Sequence, residues 1–327
     1  MVPLSVLDLS PIVEGATASQ ALANSLALAQ HAERLGFQRY WVAEHHNFPG
    51  VASAATAVVI AHLAGHTSRI RVGAGGIMLP NHAPYVIAEQ FGTLEALFPG
   101  RIDLGLGRAP GSDLLAQHAL RRDPRSADRF GEDVLELMRW FRDEPGAPVR
   151  AVPGAGADVP LWILGSSLFG AQLAARLGLP FAFASHFAPA QLLDAVTLYR
   201  SQFRPSARQP QPHVMLGLNV IAADSEEEAR YLFSSIEQAF IALRRGTPRP
   251  LPRPVAGLTQ QLSAEERALL SFTLQCSVIG TVEGVRRGLA QFVERTGADE
   301  LILTCQVFEH DKRMRSLTLT HQAAQGL

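Results

Sequence analysis

The residues best suited to chemistry stand where apolar runs give way to polar ones. Glu44-His45-His46 closes the run Tyr40-Trp41-Val42-Ala43, and Met78, Asn81 and His82 close a glycine-rich run that begins at Gly73. An imidazole titrates near pH 6.5, so a histidine in such a place can act as an acid or a base. It can equally serve by bonding loop backbone. A metal site is a rival, since His45, His46, His82 and His186 could converge. Neighbouring residues of an extended chain point to opposite sides, however, which argues against His45 and His46 sharing one ion. Gly165-Ser166-Ser167 precedes an apolar helical pattern. Free N–H groups and two hydroxyls at a helix start suit a phosphate, although ordinary capping accounts for one serine. Arg108 is placed to supply the positive partner.

Gly73-Ala74-Gly75-Gly76 interrupts what otherwise reads as a strand. Glycines there imply a bulge, or the close approach of a flat ligand to the backbone. Gly105-Leu106-Gly107-Arg108-Ala109-Pro110-Gly111 resembles a dinucleotide fingerprint only superficially. That fingerprint needs a helix within the glycine run, and Pro110-Gly111 points to an extended loop.

The elements that must position these residues follow a repeated grammar of helix, glycine, short apolar strand and polar residues. Leu22, Leu26, Ala29, Ala32 and Leu35 share one helical face, with Thr17 and Gln20 spaced as a capping box and Gly36 as a stop. The pattern recurs before residues 181–184 and 301–304. Further strands are expected at 4–9, 40–43, 70–78, 101–106, 161–164 and 214–221. Eight strands alternating with helices predict a closed (β/α)8 TIM barrel, an α/β fold spanning residues 1–327 as one domain. An open doubly wound sheet is the alternative. Residues 145–160 read as a surface excursion. Residues 224–275 read as an insertion: a helix over 224–245, a proline-rich stretch, and a helix opened by Ser263. It is either a lid over the mouth or a packed decoration.

In a barrel of this kind the site lies at the C-terminal ends of the strands. The residues named above all fall there, as do Asp8, Ser10, Ser185, His186, Gln306, Glu309 and His310. Composition narrows the function further. The 327 residues carry 29 basic and 30 acidic side chains, and this balance argues against a general nucleic-acid or anionic-membrane binder. Lys312 is the only lysine, so a single arginine carries less weight as a signal. Two cysteines, Cys276 and Cys305, cannot build a disulfide scaffold or a cysteine-based zinc site. Without a signal-peptide pattern or a long apolar run, a cytoplasmic protein is expected.

Taken together and in order, several segments resemble the bacterial-luciferase-like flavin monooxygenases. They are Val42-Ala-Glu-His-His, Val72-Gly-Ala-Gly-Gly-Ile-Met-Leu-Pro-Asn-His, Ala88-Glu-Gln-Phe, the segment from Pro99 to Gly111, and Leu164-Gly-Ser-Ser. The resemblance covers residues 4–221 and resumes over 278–316. It implies a TIM barrel that binds reduced FMN made by a separate flavin reductase. It further implies a flavin C4a-hydroperoxide that oxidises a small organic substrate with O2. On this resemblance His45 takes the place of a catalytic acid/base, with Glu44 beside it. Ala74, Gly75 and Gly76 match the segment that carries a non-proline cis peptide under the flavin ring, at Gly75–Gly76. Met78, Asn81 and His82 flank the ring, while Arg108, Gly165, Ser166 and Ser167 match phosphate-binding positions. A homodimer is also implied. Two departures stand out: Gly107 replaces a reactive cysteine, which speaks against light emission, and Gly170 replaces a phosphate-binding hydroxyl. Related barrels use the deazaflavin F420 for hydride transfer, and some relatives bind flavin without catalysis. A metal-dependent hydrolase is the most distant reading.

Overall fold

Short apolar runs flanked by glycine and polar residues bury both faces best in a parallel sheet covered by helices. The computed structural model describes residues 2–109 and 113–326, so the Pro110-Gly111 expectation lies outside the described residues. Nine strands form: β1 (Leu4–Asp8), β2 (Arg39–Val42), β3 (Arg71–Met78), β4 (Ile102–Gly107), β5 (Leu161–Gly165), β6 (Phe181–Phe183), β7 (Val214–Ala222), β8 (Ser277–Gly280) and β9 (Glu300–Thr304). All pair in parallel. Each of β1 to β6 bonds its successor, β6 bonds β7, β7 bonds β9, and β9 returns to β1. That closure makes the expected eight-stranded (β/α)8 barrel and removes the open-sheet alternative. β8 was not anticipated. It lies outside the ring, on the far half of β7 from Asn219 to Ala222.

Local chemistry ends the helices where the sequence indicates. Gly36, Gly178 and Gly297 close three of them in the left-handed conformation. The expected capping box at Thr17 is half made. The Thr17 hydroxyl accepts from the Gln20 amide, while the Gln20 side chain turns to Asn24 instead. The box at Ser263 is complete with Glu266.

The insertion folds as helix Glu226–Arg244, a short turn of helix, and helix Ala264–Thr273. Ile221, Phe233, Ile236, Leu270 and Leu274 give it an apolar core apart from that of the barrel. Its proline-rich stretch is tied to the loop after β1. Leu251 exchanges backbone hydrogen bonds of 2.9 Å with Ile12 and Glu14. The Arg253 guanidinium lies 4.8 Å from the centre of the Phe308 ring, in the loop after β9. These ties hold the insertion against the C-terminal end of the barrel.

Alternation along the strands sorts the barrel interior into layers. The N-terminal layer is charged: Ser5, Arg39, Arg71, Asp103, His213 and Glu300. Asp103 accepts from Arg39 at 2.8 Å, from Arg71 at 2.7 Å and from the Trp41 indole at 3.1 Å. Glu300 accepts from Arg39 at 3.0 Å and from Ser5 at 2.5 Å. Above it lies an apolar layer of Leu7, Trp41, Trp162, Ala182, Met215 and Ile302. The C-terminal layer is built from small residues, among them Ala43, Gly75, Gly107 and Gly217. This smallness leaves the mouth to side chains from the loops.

Candidate active site

Glu44 is the hub of one side of the mouth. It is buried, and its Oε1 accepts from His46 Nε2 at 2.7 Å and His82 Nε2 at 2.8 Å. Its Oε2 accepts from the Met78 amide at 3.0 Å. Burial alone would raise its pKa. The bonds from His46 and His82, the charge of His82 and the Met78 amide outweigh that and bring it down to about 2. Glu44 is therefore a fixed negative charge that ties the β2 loop to the end of β3. Among the described residues, Glu44, His46 and His82 are the group whose ligand atoms all lie within 4.8 Å of one another. Ligands about 2.0–2.1 Å from one tetrahedral ion stand more than about 3 Å apart. The observed 2.7 and 2.8 Å are hydrogen bonds, so the cluster is a bonded network rather than a metal cage.

His45 faces the other way, continuing the inward alternation of Trp41 and Ala43. The four histidines thus divide into two pairs, with His46 and His82 on Glu44, and His45 in electrostatic contact with His186. Burial lowers the pKa of His45, against the raising effect of Glu44 and with the help of His46. Burial, then the nearness of His45, lowers that of His186 to about 4. Both rings are neutral at pH 7. The Nδ1 atoms of both are buried and have no hydrogen-bond partner. An orphaned N–H is costlier inside a protein than an under-used acceptor. We therefore assign the proton of each ring to Nε2.

The glycine-rich strand carries the expected bulge and the expected cis bond. Its register with β4 shifts between Ala74 and Ile77, which is a bulge, and the Gly75–Gly76 peptide is cis. A Cβ on Gly75 would stand 2.6 Å from Leu7 Cδ1, and one on Gly76 would stand 2.7 Å from the Gly105 carbonyl. Packing against backbone therefore requires Gly76, while at Gly75 a side chain would have to displace Leu7. Gly107 is explained in the same way, since a Cβ there would meet the Met78 sulfur at 3.1 Å. The position that carries a reactive cysteine in luciferase is here occupied from above by Met78. Asn81 is buried, and its carbonyl accepts from Arg122 at 2.9 Å.

The presumptive anion end is exposed and lightly tied. Arg108 is exposed at the end of β4, its guanidinium 4.4 Å from the centre of the Phe169 ring. Ser167 is the N-cap of helix Leu168–Leu177, yet its hydroxyl makes no capping bond. Thr17, Asp113, Ser225, Ser263 and Thr281 all make that bond at their own helices. Ordinary capping therefore does not account for either serine. Gly165 and Gly170 press together, so that a Cβ on Gly170 would lie 3.2 Å from Gly165 Cα. A side chain at position 170 would therefore require strand end and helix to part by a few tenths of an ångström.

Several residues at strand ends are fixed in structural bonds. Asp8 accepts from Arg313 at 2.7 Å, from Tyr40 at 2.6 Å and from the Ser10 amide at 2.9 Å. The Ser185 hydroxyl donates to the Gly217 carbonyl at 2.6 Å. The sequence placed His186 at the mouth, but it did not show its pairing with His45 or its contact with Gly217. The available signal was the inward alternation after Ala182, read together with a glycine in the neighbouring strand.

The family model described as luciferase-like monooxygenase matches residues 3–300. A luciferase-like monooxygenase of Escherichia coli K12 is 51% identical over 328 residues, covering 100% of this chain and 98% of its own. The N-acetyl-S-alkylcysteine monooxygenase of Bacillus subtilis is 33% identical over 331 residues, covering 98% of this chain and 97% of its own. The crystal structure of apo-MsnO8 superposes with a TM-score of 0.88 at 34% identity, covering 99% of each chain. Two barrels at 16% identity share the fold alone. One is the FMN complex of the oxygenating constituent of 3,6-diketocamphane monooxygenase from Pseudomonas putida, at a TM-score of 0.76 with 100% and 99% covered. The other is an F420-dependent secondary alcohol dehydrogenase, at 0.67 with 98% and 99% covered.

Proposed function

The chain belongs to the luciferase-like monooxygenase family, and from that premise we propose that it is a reduced-FMN-dependent monooxygenase acting on a small organic substrate. Reduced FMN, when bound, supplies the electrons with which O2 gives one oxygen atom to the substrate and one to water. The residues present fit such a group. Arg108, Gly165, Ser166 and Ser167 would hold its phosphate, with the Ser167 hydroxyl free of any capping bond. Ala74, Gly75, Gly76 and Met78 would support its ring, with Asn81 and His82 beside it. Glu44 holds His82 and the Met78 amide in place.

The observation that carries this reading is His45: inward-facing, partly buried and neutral, with its buried Nδ1 unpaired. Such an imidazole can take up a proton at its bare nitrogen and give one back as imidazolium without first breaking an ion pair. The apolar floor of the barrel and the insertion over 224–275 would keep bulk water from the reacting atoms. His45→Ala is expected to bind FMN as the wild type does and to lose about 100-fold in substrate oxidation. Oxidation by the variant at the wild-type rate would remove the assigned role.

We assign a separate flavin reductase as the source of reduced FMN, self-association as a homodimer, and a cytoplasmic location. Among the described residues, no helix is long and apolar enough to cross a membrane. The F420 reading follows from the dehydrogenase with the same fold, and a purely flavin-binding role remains the non-catalytic rival. Rapid mixing of the protein and anaerobically reduced FMN with oxygenated buffer separates the three, run with and without candidate thioethers and aldehydes. A transient flavin absorbance that outlives the free-flavin reaction, followed by oxidised substrate, supports the monooxygenase. Substrate turnover that ignores oxygen and requires F420 supports hydride transfer. Tight binding with neither result supports flavin binding alone.

A further inference from the structure

His186 stands inside the barrel. Gly217 shares the inward side of β7 with Met215, and a Cβ built on it would fall 2.3 Å from His186 Nδ1. The ring therefore fills the space that any other residue at position 217 would take, one layer above Met215. Three contacts hold it there. The Asn219 amide donates to the His186 carbonyl at 2.6 Å, and Asn219 in turn accepts from Thr304 at 2.5 Å. The neighbouring Ser185 hydroxyl donates to the Gly217 carbonyl at 2.6 Å. β2 and β6, which deliver His45 and His186, lie four strands apart in a ring of eight and so face each other across the mouth. The two rings nevertheless lie within electrostatic reach of one another. A small molecule seated on the barrel axis at this level lies between them.

Nδ1 of His186 is pressed against β7 without a partner, which leaves the proton on Nε2. No carboxylate is bonded to the ring among the described residues. We infer that His186 is a substrate-binding residue, whose Nε2–H donates to an oxygen acceptor (a carbonyl or carboxylate) that the substrate carries close to the atom being oxidised. This rests on the monooxygenase reading above and adds to it a recognition element and a substrate class. Phe187, exposed beside it, adds apolar surface for the body of such a molecule.

The test uses the FMN-loaded protein, with loading checked first by quenching of flavin fluorescence. Two thioether probes are titrated calorimetrically and then assayed with reduced flavin. N-acetyl-S-benzylcysteine carries amide and carboxylate oxygens near its sulfur, whereas benzyl methyl sulfide has the sulfur and the ring alone. Wild type is expected to bind the first at least about 10-fold more tightly. His186→Phe keeps a ring against Gly217 and loses the donor. It is expected to abolish that preference through Kd and KM, leaving FMN binding and benzyl methyl sulfide affinity unchanged. His186→Gln, with an amide N–H at similar reach, is expected to restore most of the preference. A wild type without the preference, or a preference that survives in His186→Phe, overturns the inference. A wild type that does not take up FMN overturns the underlying reading instead, and is seen in the loading step before any probe is added.

Discussion

The two ends of the barrel interior use the same polar residue types in opposite ways. At the N-terminal end, Asp103 and Glu300 are enclosed by Arg39, Arg71, Ser5, the Trp41 indole and His213, and each carboxylate accepts several bonds. At the C-terminal end, His45 and His186 are only partly buried, and the one nitrogen of each that is buried has no partner. A buried polar group left unsatisfied costs about 1–3 kcal/mol, less where it is a bare acceptor, and among the described residues the mouth carries two such atoms where the layer of Asp103 and Glu300 carries none. The Glu44 network shows that the mouth is able to satisfy its polar groups where holding loops is the task. The difference separates a plug from a site.

The sharpest way to break this comparison is to unpair the plug. Asp103→Ala would leave Arg39 and Arg71 facing each other in a largely buried layer, with the Trp41 N–H unmet. Removing one partner of such a cluster costs about 3–5 kcal/mol. Urea unfolding is expected to show a loss of that size, several times the loss from His186→Phe. Equal losses at the two ends would show that the histidines carry structural weight of the same kind.

Acid offers a second, smaller contrast. The pKa values of His45 and His186 are lowered in the fold, that of His186 to about 4. Their contribution to stability is therefore complete above the unfolded value near 6.5 and is lost as pH falls toward the folded values. Glu300 is also lowered: burial raises it, and His213, Arg39 and Ser5 more than offset this. Its contribution holds above the ordinary carboxylate value of 4.5 and fades only below it. Between pH 6.5 and 4.5 His45 and His186 lose their contribution while Glu300 keeps its own. His31 and His310 titrate in the same window but are common to wild type and variant. Thermal melts at pH 7 and pH 5 are expected to show a fall for wild type that His186→Phe reduces by about 1–2 kcal/mol. An identical pH dependence in the two proteins would remove His186 from the titration.

The plug and the mouth were not equally legible in the sequence. All eight barrel strands were readable, because each is a short apolar run bounded by glycine and polar residues. β8 was not. Ser277-Val278-Ile279-Gly280 follows a helix that is capped at Leu274 instead of at a glycine, and it pairs only with the stretch of β7, Asn219–Ala222, that overruns the ring. The Glu44 and His45 sides of the mouth followed from simple alternation at the end of β2. The division of four histidines into two pairs did not, since it depends on β2 and β6 facing each other across the barrel. Asp8 looked as available as Glu44 from its place after β1. Only the fold shows Arg313, 305 residues away, bonded to it. Gly75 and Gly76 suggested a bulge or a ligand, and the structure adds that the Gly105 backbone requires Gly76 in any case.

The smallest effect tests the junction beneath the presumptive anion end. Gly131 and Gly170 both lie in helices, where replacing glycine by alanine ordinarily gains up to about 1 kcal/mol. At Gly131 the new Cβ would make an ordinary contact of 3.7 Å with Leu173 Cδ1, so Gly131→Ala is expected to raise the melting temperature. At Gly170 it would meet the Gly165 Cα at 3.2 Å and Phe181 Cε2 at 3.4 Å. Neither atom is the free end of a flexible side chain, so strand end and helix must part by a few tenths of an ångström. That displacement cancels the helix gain, and Gly170→Ala is expected to melt within about 0.5 kcal/mol of wild type. Ser166 and Ser167 lie on the turn between the two glycines and must move with it. FMN affinity is therefore expected to fall a few-fold in Gly170→Ala and not at all in Gly131→Ala. If both variants gain stability equally and bind FMN alike, the Gly165–Gly170 contact does not set the position of the serines, and the phosphate assignment loses its structural support.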